Sequence, residues 1–495
     1  MVFRGRTVVL LVLAAALSGA LATAALTWAG WPADWRTLVR SQLAGGDPPS
    51  ADFVGGLPDE AVDKLNKTYQ LIMNRYLEIP DGDKLVEGAI RGMLSTLEDP
   101  YTAYVSAEEA VEYEQQLDSF FTGIGAEVSL VDGRVVVVSP IKGSPAEKAG
   151  IRPRDIILSV NGESLAWLSL TEAVQKIRGP KGSQAVLQIM REGLDKPLEL
   201  VIVRDEIDLE TVFSRMLEED GIGYIEIRQF SNHTVNSFAE QLRDLEAQGM
   251  KALIIDVRNN PGGYLEGVAH ILYELVPAGR TLLMTEDRSG RRQTLVSEGP
   301  GRTYPMAVLI NGGSASASEI LAAAVQQSAG GIVVGENSFG KGTVQSQYAD
   351  LYGDGAILKL TVSKWLTPNG TWINKTGLEP DVNVRQPDYF NVAPISREKT
   401  WKVDETGDDV RNMQIMLQAL GYAPGRTDGY FSRQTETALK HFQQEVNLEA
   451  TGILDAETIE RLEQKMIEKL VDPRNDRQLQ QAIRILSAEL AKAKR

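Results

Sequence analysis

The 495-residue chain contains no cysteine. This excludes a thiol nucleophile, thiolate metal sites and structural disulfides. Histidine is scarce. His233, His270 and His441 are the three, with no HExxH and no close pair, so a histidine-bound zinc hydrolase is a poor fit. Their number still permits a Ser-His-Asp triad. Positive charge is also in short supply, with 51 Lys+Arg against 67 Asp+Glu and a net charge of −16. A nucleic-acid binder needs a basic stripe, so no nucleic-acid partner is expected. No metal or cofactor is expected either. The 43% hydrophobic and 24% charged content is ordinary for a chain that buries a real core. The length corresponds to about three to four domains.

Charge is missing altogether from one long stretch. Arg4 and Arg6 precede an apolar run from Thr7 to Trp31, and the next charge is Asp34. A basic flank followed by apolar residues reads as an export signal, and a run of about 25 residues is long enough to span a bilayer. Ala22-Thr23-Ala24 offers a cleavage site, while Trp28, Trp31 and Trp35 suit an interface at the outer end. Residues 1–35 are therefore a signal peptide or membrane anchor, and the remainder lies outside the cytoplasm.

Beyond it, 36–58 is a Gly/Pro/Ser-rich linker. Spacings of three and four in Val62, Leu65, Tyr69, Ile72 and Tyr76 predict a helix, a second pattern follows at Leu85, Ile90, Leu94 and Leu97, and 59–118 is expected to form a helical region. From 119 to 205 the signals are short and β-like, with one helix near Leu170–Ile177. The protease core is placed at 206–385, and strands and helices alternate from 221 to 385, which predicts an α/β layer with some parallel pairing. A second linker follows at 386–403, then a small helical unit at 404–466. The terminal piece, 467–495, carries the stripe Leu479, Ala482, Ile483, Leu486, Leu490. No internal repeat is evident.

Two segments carry the chemistry, NGGSASASEILAAAV at 311–325 and GENSFGKGTVQ at 335–345. The first follows an apolar strand and opens a helix. A serine there sits near the positive end of the helix dipole, which favours a developing oxyanion. DVRNNPGG at 256–263 follows another strand, and its glycines can expose amides at the same sheet edge. A serine nucleophile needs a base. No histidine lies in these turns, but Lys341 does, between glycines. Lysine acts as a base when burial strips its proton. Gln345 lies four residues on, and even spacing in an extended segment would put it on the same face as Lys341. The residues alone also permit a plain reading, a small-residue helix start and a turn cation.

The stretch from about 60 to 385 resembles the C-terminal processing peptidases, also called tail-specific proteases. The resemblance rests on DPYTAYVS (99–106), GIGAEV (123–128), SPIKGSPAEKAGI (139–151), IRGPKG (177–182), IIDVRNNPGG (254–263), GSASASEI (313–320), FGKGTVQ (339–345) and TGLEPDVNV (376–384), in the family's order. It implies an exported serine endopeptidase of the bacterial cell envelope with Ser316 as nucleophile and Lys341, 25 positions later, as base. Gln345 takes the third catalytic position, and the amides of Gly262 and Ala317 form the oxyanion hole. It also implies a core of ClpP/crotonase-like α/β type within a multidomain α+β chain.

Residues 119–205 resemble a PDZ domain, a module that takes up free C-termini. Gly123, Ile124, Gly125 and Ala126 occupy the carboxylate loop, with Arg178 beside it. Arg152-Pro153-Arg154-Asp155 departs from the family pattern, which has Gly before the Asp. Residues 404–466 resemble a small three-helix peptidoglycan-binding domain, in which the loop residues Tyr422, Asp428 and Tyr430 would meet the wall ligand. Resemblance to family members that dimerise through their terminal regions implies a homodimer, expected to be built by the helical region 59–118 and the terminal helix.

Other readings compete. Ser338-Phe339-Gly340-Lys341 and Lys375-Thr376-Gly377 fit the S-x-x-K and K-T-G motifs of penicillin-binding proteins, but no S-x-N lies between them. A silent wall-bound PDZ scaffold and a peptidoglycan hydrolase are the further alternatives.

Overall fold

The structure is a computed structural model that describes residues 56–493, apart from short stretches at 132, 142, 192–193, 195, 218–220 and 350. The expected signal or anchor at 1–35 and nearly all of the 36–58 linker lie outside the described residues. Among those described, no helix is long and apolar enough to cross a membrane. The chain divides into two compact units. One holds residues up to Ala110 with Gly279–Glu298 and Thr343–Trp372, and the other holds Val111–Ala278, Gly299–Gly342 and Ile373–Arg495.

In the first unit, the helices Asp59–Arg75 and Gly82–Ser95 bury no residue. Asp81 caps the second helix, its Oδ1 accepting from the amides of Asp83 and Lys84. The rest is a five-stranded antiparallel sheet centred on Ile357–Leu366. Along one edge runs Thr343–Ala349. The other edge is shared by Ala103–Val105 and Thr281–Asp287, and the latter also pairs with Arg292–Val296. The DPYT segment anchors this sheet. Thr102 Oγ1 donates to Asp99 Oδ2 at 2.7 Å and accepts from the Thr361 amide at 3.1 Å.

The second unit begins with the PDZ-like part. Its strands run in the order Ala126–Val131, Arg134–Pro140, Ile156–Val160, Gln184–Met190, Leu198–Val203. Val135, Val137, Ile157, Leu187 and Ile189 alternate into a dry core. The irregular turn is accommodated. Arg154 takes the left-handed conformation at φ 70° where the family has glycine, at a cost of about 1–2 kcal/mol. Asp155, 1% exposed, offsets this by accepting from the Arg152 amide and from the Arg191 guanidinium.

Next comes a six-stranded sheet in the order Val212–Met216, Ile222–Ile227, Ala252–Asp256, Met306–Ile310, Ile332–Gly335, Val382–Asn383. The first pair is antiparallel and the others are parallel. Every residue of Ala252–Asp256 and Met306–Ile310 is buried, as expected for parallel strands covered on both faces. One cover is the terminal helix Arg477–Ala493. Leu479, Ala482, Ile483, Leu486 and Leu490 pack on Tyr224, Ile254, Ala307 and Leu309.

The ClpP/crotonase-like core expected above is therefore corrected. The chain from 206 to 385 does not make one α/β layer. Its strands at 281–296 and 343–366 leave the six-stranded sheet for the antiparallel one. Strand periodicity marks an extended segment without naming the sheet it joins.

The helices Asp408–Leu420, Arg433–Glu445 and Ala456–Val471 pack around Met413, Leu417, Leu439, Phe442 and Leu462. Ile395 and Trp401, from the segment read as a linker, join this core. A hidden duplication organises the module. Gln414 donates to Thr435 Oγ1 and Tyr430 O and accepts from the Gly429 amide. Gln443 repeats this on Thr458 Oγ1, Ile453 O and the Gly452 amide. Both glutamines are nearly fully buried, where an unpaired amide would be costly. The absence of an internal repeat holds for sequence identity but not for this bonding pattern.

Candidate active site

The parallel strands Ala252–Asp256, Met306–Ile310 and Ile332–Gly335 end on one side of the sheet. Their turns therefore share an edge, the usual place for a site in an open α/β sheet.

The three serines of the second turn differ sharply. Ser314 and Ser318 are 0% exposed and donate to the carbonyls of Val257 and Asn260, at 2.8 and 2.9 Å. They tie the serine turn to the 257–263 turn. Ser316 is half-buried and sits at φ 54°, ψ −112°, immediately before the Ala317–Ser328 helix. A serine with φ above zero is held there by its surroundings, and such strain gathers at functional sites.

Glu319 is the residue that the sequence reading missed. It is 0% exposed. Its Oε2 accepts from the Ser316 amide at 2.7 Å and the Lys341 amide at 3.0 Å. Its Oε1 accepts from Ser338 Oγ at 2.6 Å and the Gly340 amide at 2.7 Å. One carboxylate thus fixes the serine turn against the lysine loop. The pattern Ser316-x-x-Glu319 matches a capping box and could have flagged it. The loop is further held where the Lys375 amide donates to Gly340 O at 2.8 Å. Ser338 is 6% exposed, and its hydroxyl also accepts from the Leu378 amide. It lies in a loop rather than opening a helix, which removes the S-x-x-K reading.

Gly262 lies against the serine turn. A Cβ on it would fall 2.9 Å from Ser316 Cβ and 3.1 Å from the Ala317 nitrogen, so only glycine permits this approach. Its own N–H donates to Asn260 Oδ1 at 2.9 Å. Gln345 belongs to the first unit. It lies in Thr343–Ala349 and donates to Thr343 Oγ1 and Thr361 Oγ1. Lys341 precedes the start of that strand, so alternation along one strand does not relate the two side chains.

In the PDZ-like part, Gly123, Ile124, Gly125, Ala126 and Arg178 line one cavity of about 180 Å³ together with Phe121. The Arg178 guanidinium stands 5.0 Å over the Phe121 ring. At Gly125, φ 79°, a Cβ would strike Ser144. In the C-terminal module, Tyr422 lines a cavity of about 400 Å³ with Pro424, Gly425 and Arg426. Burial and Glu445 push its hydroxyl up to about 12. Asp428 and Tyr430 are engaged elsewhere. Asp428 pairs with Arg426, and the Tyr430 hydroxyl donates to Asp404 at 2.7 Å.

Residues 221–384 match peptidase family S41, 136–191 a PDZ domain, 406–462 a peptidoglycan binding domain, and 28–109 the N-terminal domain of the activating protease CtpB. The carboxy-terminal processing protease CtpB of Bacillus subtilis (strain 168) is 47% identical over 431 residues, covering 86% of this chain and 89% of the relative. CtpA of the same strain is 41% identical over 433 residues, covering 87% and 91%. Two solved structures are also similar. The photosystem II D1 C-terminal processing protease is 27% identical with a TM-score of 0.39, covering 66% of this chain and 94% of that one. An S41 protease from Bacteroides fragilis NCTC 9343 is 18% identical with a TM-score of 0.42, covering 66% and 91%. The family match over 221–384 assigns the core to S41, which corrects the expected ClpP/crotonase-like type.

Proposed function

The chain belongs to the carboxy-terminal processing serine proteases of peptidase family S41, and from that premise we propose that Ser316 is its nucleophile and Lys341 its general base. The protein is an extracytoplasmic, wall-associated endopeptidase with a PDZ domain and a peptidoglycan-binding domain. Neutral Lys341 takes the proton from Ser316 Oγ, which attacks the peptide carbonyl carbon. The oxyanion is received by the Ala317 and Gly262 amides, the latter exchanging its bond to Asn260. Lys341 returns the proton to the leaving amine as the C–N bond breaks. Water, deprotonated by Lys341, then attacks the acyl carbon, the C–Oγ bond breaks, and Lys341 returns the proton to Ser316 Oγ. Gln345 orients the lysine.

The observation that carries this reading is the difference among the serines. Ser316 alone of the three is strained and half-buried, and its amide shares Glu319 Oε2 with that of Lys341. Ser316→Ala and Lys341→Ala should each lower kcat at least about a thousandfold on a peptide with a free C-terminus, since the pair acts as one unit. Gln345→Ala should lose less. A lysine base works only unprotonated, so turnover should rise towards alkaline pH. Near-normal turnover by Lys341→Ala would sink the assignment.

The substrate terminus docks on the Gly123–Ala126 loop with Arg178 beside it. A peptide with a free C-terminal carboxylate and its amide should therefore differ in affinity for the PDZ domain, and equal binding would count against this mode. The C-terminal module holds the enzyme near the wall, where effective concentration matters more than affinity. Residues 1–35 tether or export it. The exposed faces of Asp59–Arg75 and Gly82–Ser95 support a homodimer built at that end of the chain.

A further inference from the structure

We propose that Asp476, at the start of the terminal helix, is a positioning residue for the catalytic turns, acting through Arg258. This rests on Ser316 being the nucleophile. Arg258 stands in the 257–263 turn with its side chain 14% exposed, between the carboxylates of Asp256 and Asp476 at 6% and 11%. Its Nε donates to both Asp256 oxygens. Nη2 donates to Asp256 Oδ2 at 2.5 Å and Asp476 Oδ2 at 2.8 Å. Nη1 donates to Asp476 Oδ1 and Gln478 Oε1, both at 3.0 Å. The guanidinium is therefore gripped on two edges, one by its own strand and one by a helix 218 positions away.

That grip reaches the reacting serine on both sides of Arg258. The preceding carbonyl, Val257 O, accepts from Ser314 Oγ. Two residues on, Asn260 O accepts from the Ala315 amide at 3.0 Å and from Ser318 Oγ. Asn260 Oδ1 holds the Gly262 amide. A shift of Arg258 is thus felt at the residues flanking Ser316 and at the oxyanion turn. Asp476 is itself braced, accepting from Gln386 Nε2 at 2.6 Å and from the Leu479 amide at 2.9 Å. Gln478 Nε2 donates to Val384 O at 2.8 Å.

The topology has a consequence for the wall module. It lies in sequence between the last strand of the catalytic sheet, Val382–Asn383, and a helix that returns to that sheet. The module is an insertion into the catalytic unit, and the residue that completes the Arg258 grip follows it.

The test compares full-length Asp476→Asn with Leu486→Ala, which loosens the same helix without touching Arg258. Turnover of a fluorogenic peptide with a free C-terminus is measured where both variants are folded by circular dichroism. Asp476→Asn should lower kcat at least tenfold with KM within twofold, Asp476→Glu should recover part of the loss, and Leu486→Ala should keep kcat within twofold. Unchanged kcat in Asp476→Asn, or an equal loss in Leu486→Ala, overturns the proposal. If Asp476→Asn does not fold, Gln386→Met removes one brace and should lower kcat severalfold, and an unchanged value overturns it equally. Ser316→Ala, run alongside, separates the premise. If that variant remains active, the nucleophile assignment fails.

Discussion

The terminal helix Arg477–Ala493 and the helices Asp59–Arg75 and Gly82–Ser95 near the other end all carry apolar residues at three- and four-residue spacing. Both regions were expected to build a dimer. The terminal helix instead buries Leu479, Ala482, Ile483, Leu486 and Leu490 on the catalytic sheet. The other two helices bury nothing, and Leu65, Leu71 and Met93 stay exposed at 50%, 64% and 54%. An amphipathic pattern announces that a face will be covered but does not name the cover. Here one face belongs to the catalytic core, and the other stays exposed, so the proposed homodimer is tested on that second face.

Ending the chain after Val471 should have the largest effect. It strips one cover from strands buried on both faces, so the protein should fail to fold cooperatively, as read by calorimetry. Removing residues 56–98 should leave the second unit's transition in place. A single change sharpens the contrast. Leu486→Ala, at a fully buried site, should cost about 2–5 kcal/mol in urea unfolding. Leu65→Ala, on an exposed face, should stay within about 0.5 kcal/mol at concentrations where the protein is monomeric.

Charge changes at the exposed face come next. Leu71→Glu with Met93→Glu should shift the dimer to monomer in sedimentation at micromolar concentration while leaving the melting curve of the second unit alone. Loss of the dimer in Leu486→Ala, with no loss in the double variant, would reverse the assignment of the two faces.

The smallest effect concerns acid. Burial alone would raise the Asp476 carboxyl, but hydrogen bonds and charge from Arg258 outweigh it and hold the group below its ordinary value. A depressed carboxylate contributes stability that is complete above its unfolded pKa of about 4. That stability is lost as pH falls through the lower folded value. Urea unfolding of the wild type should weaken below about pH 4, and Asp476→Asn should flatten part of that slope. An identical slope in both proteins would show that this ion pair does not contribute.

Much of the site was legible because its chemistry is local. A lysine between glycines and a serine at a strand-to-helix turn are short-range patterns, and both belong to turns on one sheet edge. Glu319 was legible in principle from its spacing to Ser316, but its side chain's partners were not. Its four donors come from two loops, and nothing local indicates that they meet. Gln345 was placed beside Lys341 by strand alternation, yet the strand starts only at Thr343. The duplicated glutamine device of the C-terminal module escaped notice because Gln414 and Gln443 lie in segments with few identities. The Gly-to-Thr spacing of 429–435 recurs at 452–458, but the buried bonds make the repeat visible.

Composition and short-range order by themselves determined the absence of thiol chemistry, the helices and strands, and the serine and lysine turns. Each follows from a residue's own conformational preferences and from neighbours within a few positions. The tertiary structure alone decided which sheet the strands at 281–296 and 343–366 join, that Glu319 bridges the serine and lysine turns, and that the terminal helix closes the core through Asp476 and Arg258. Those outcomes depend on burial and charge pairing between residues far apart in the chain, 218 positions for Arg258 and Asp476. At that separation the chain constrains almost nothing, and only packing into a shared dry interior selects the partner.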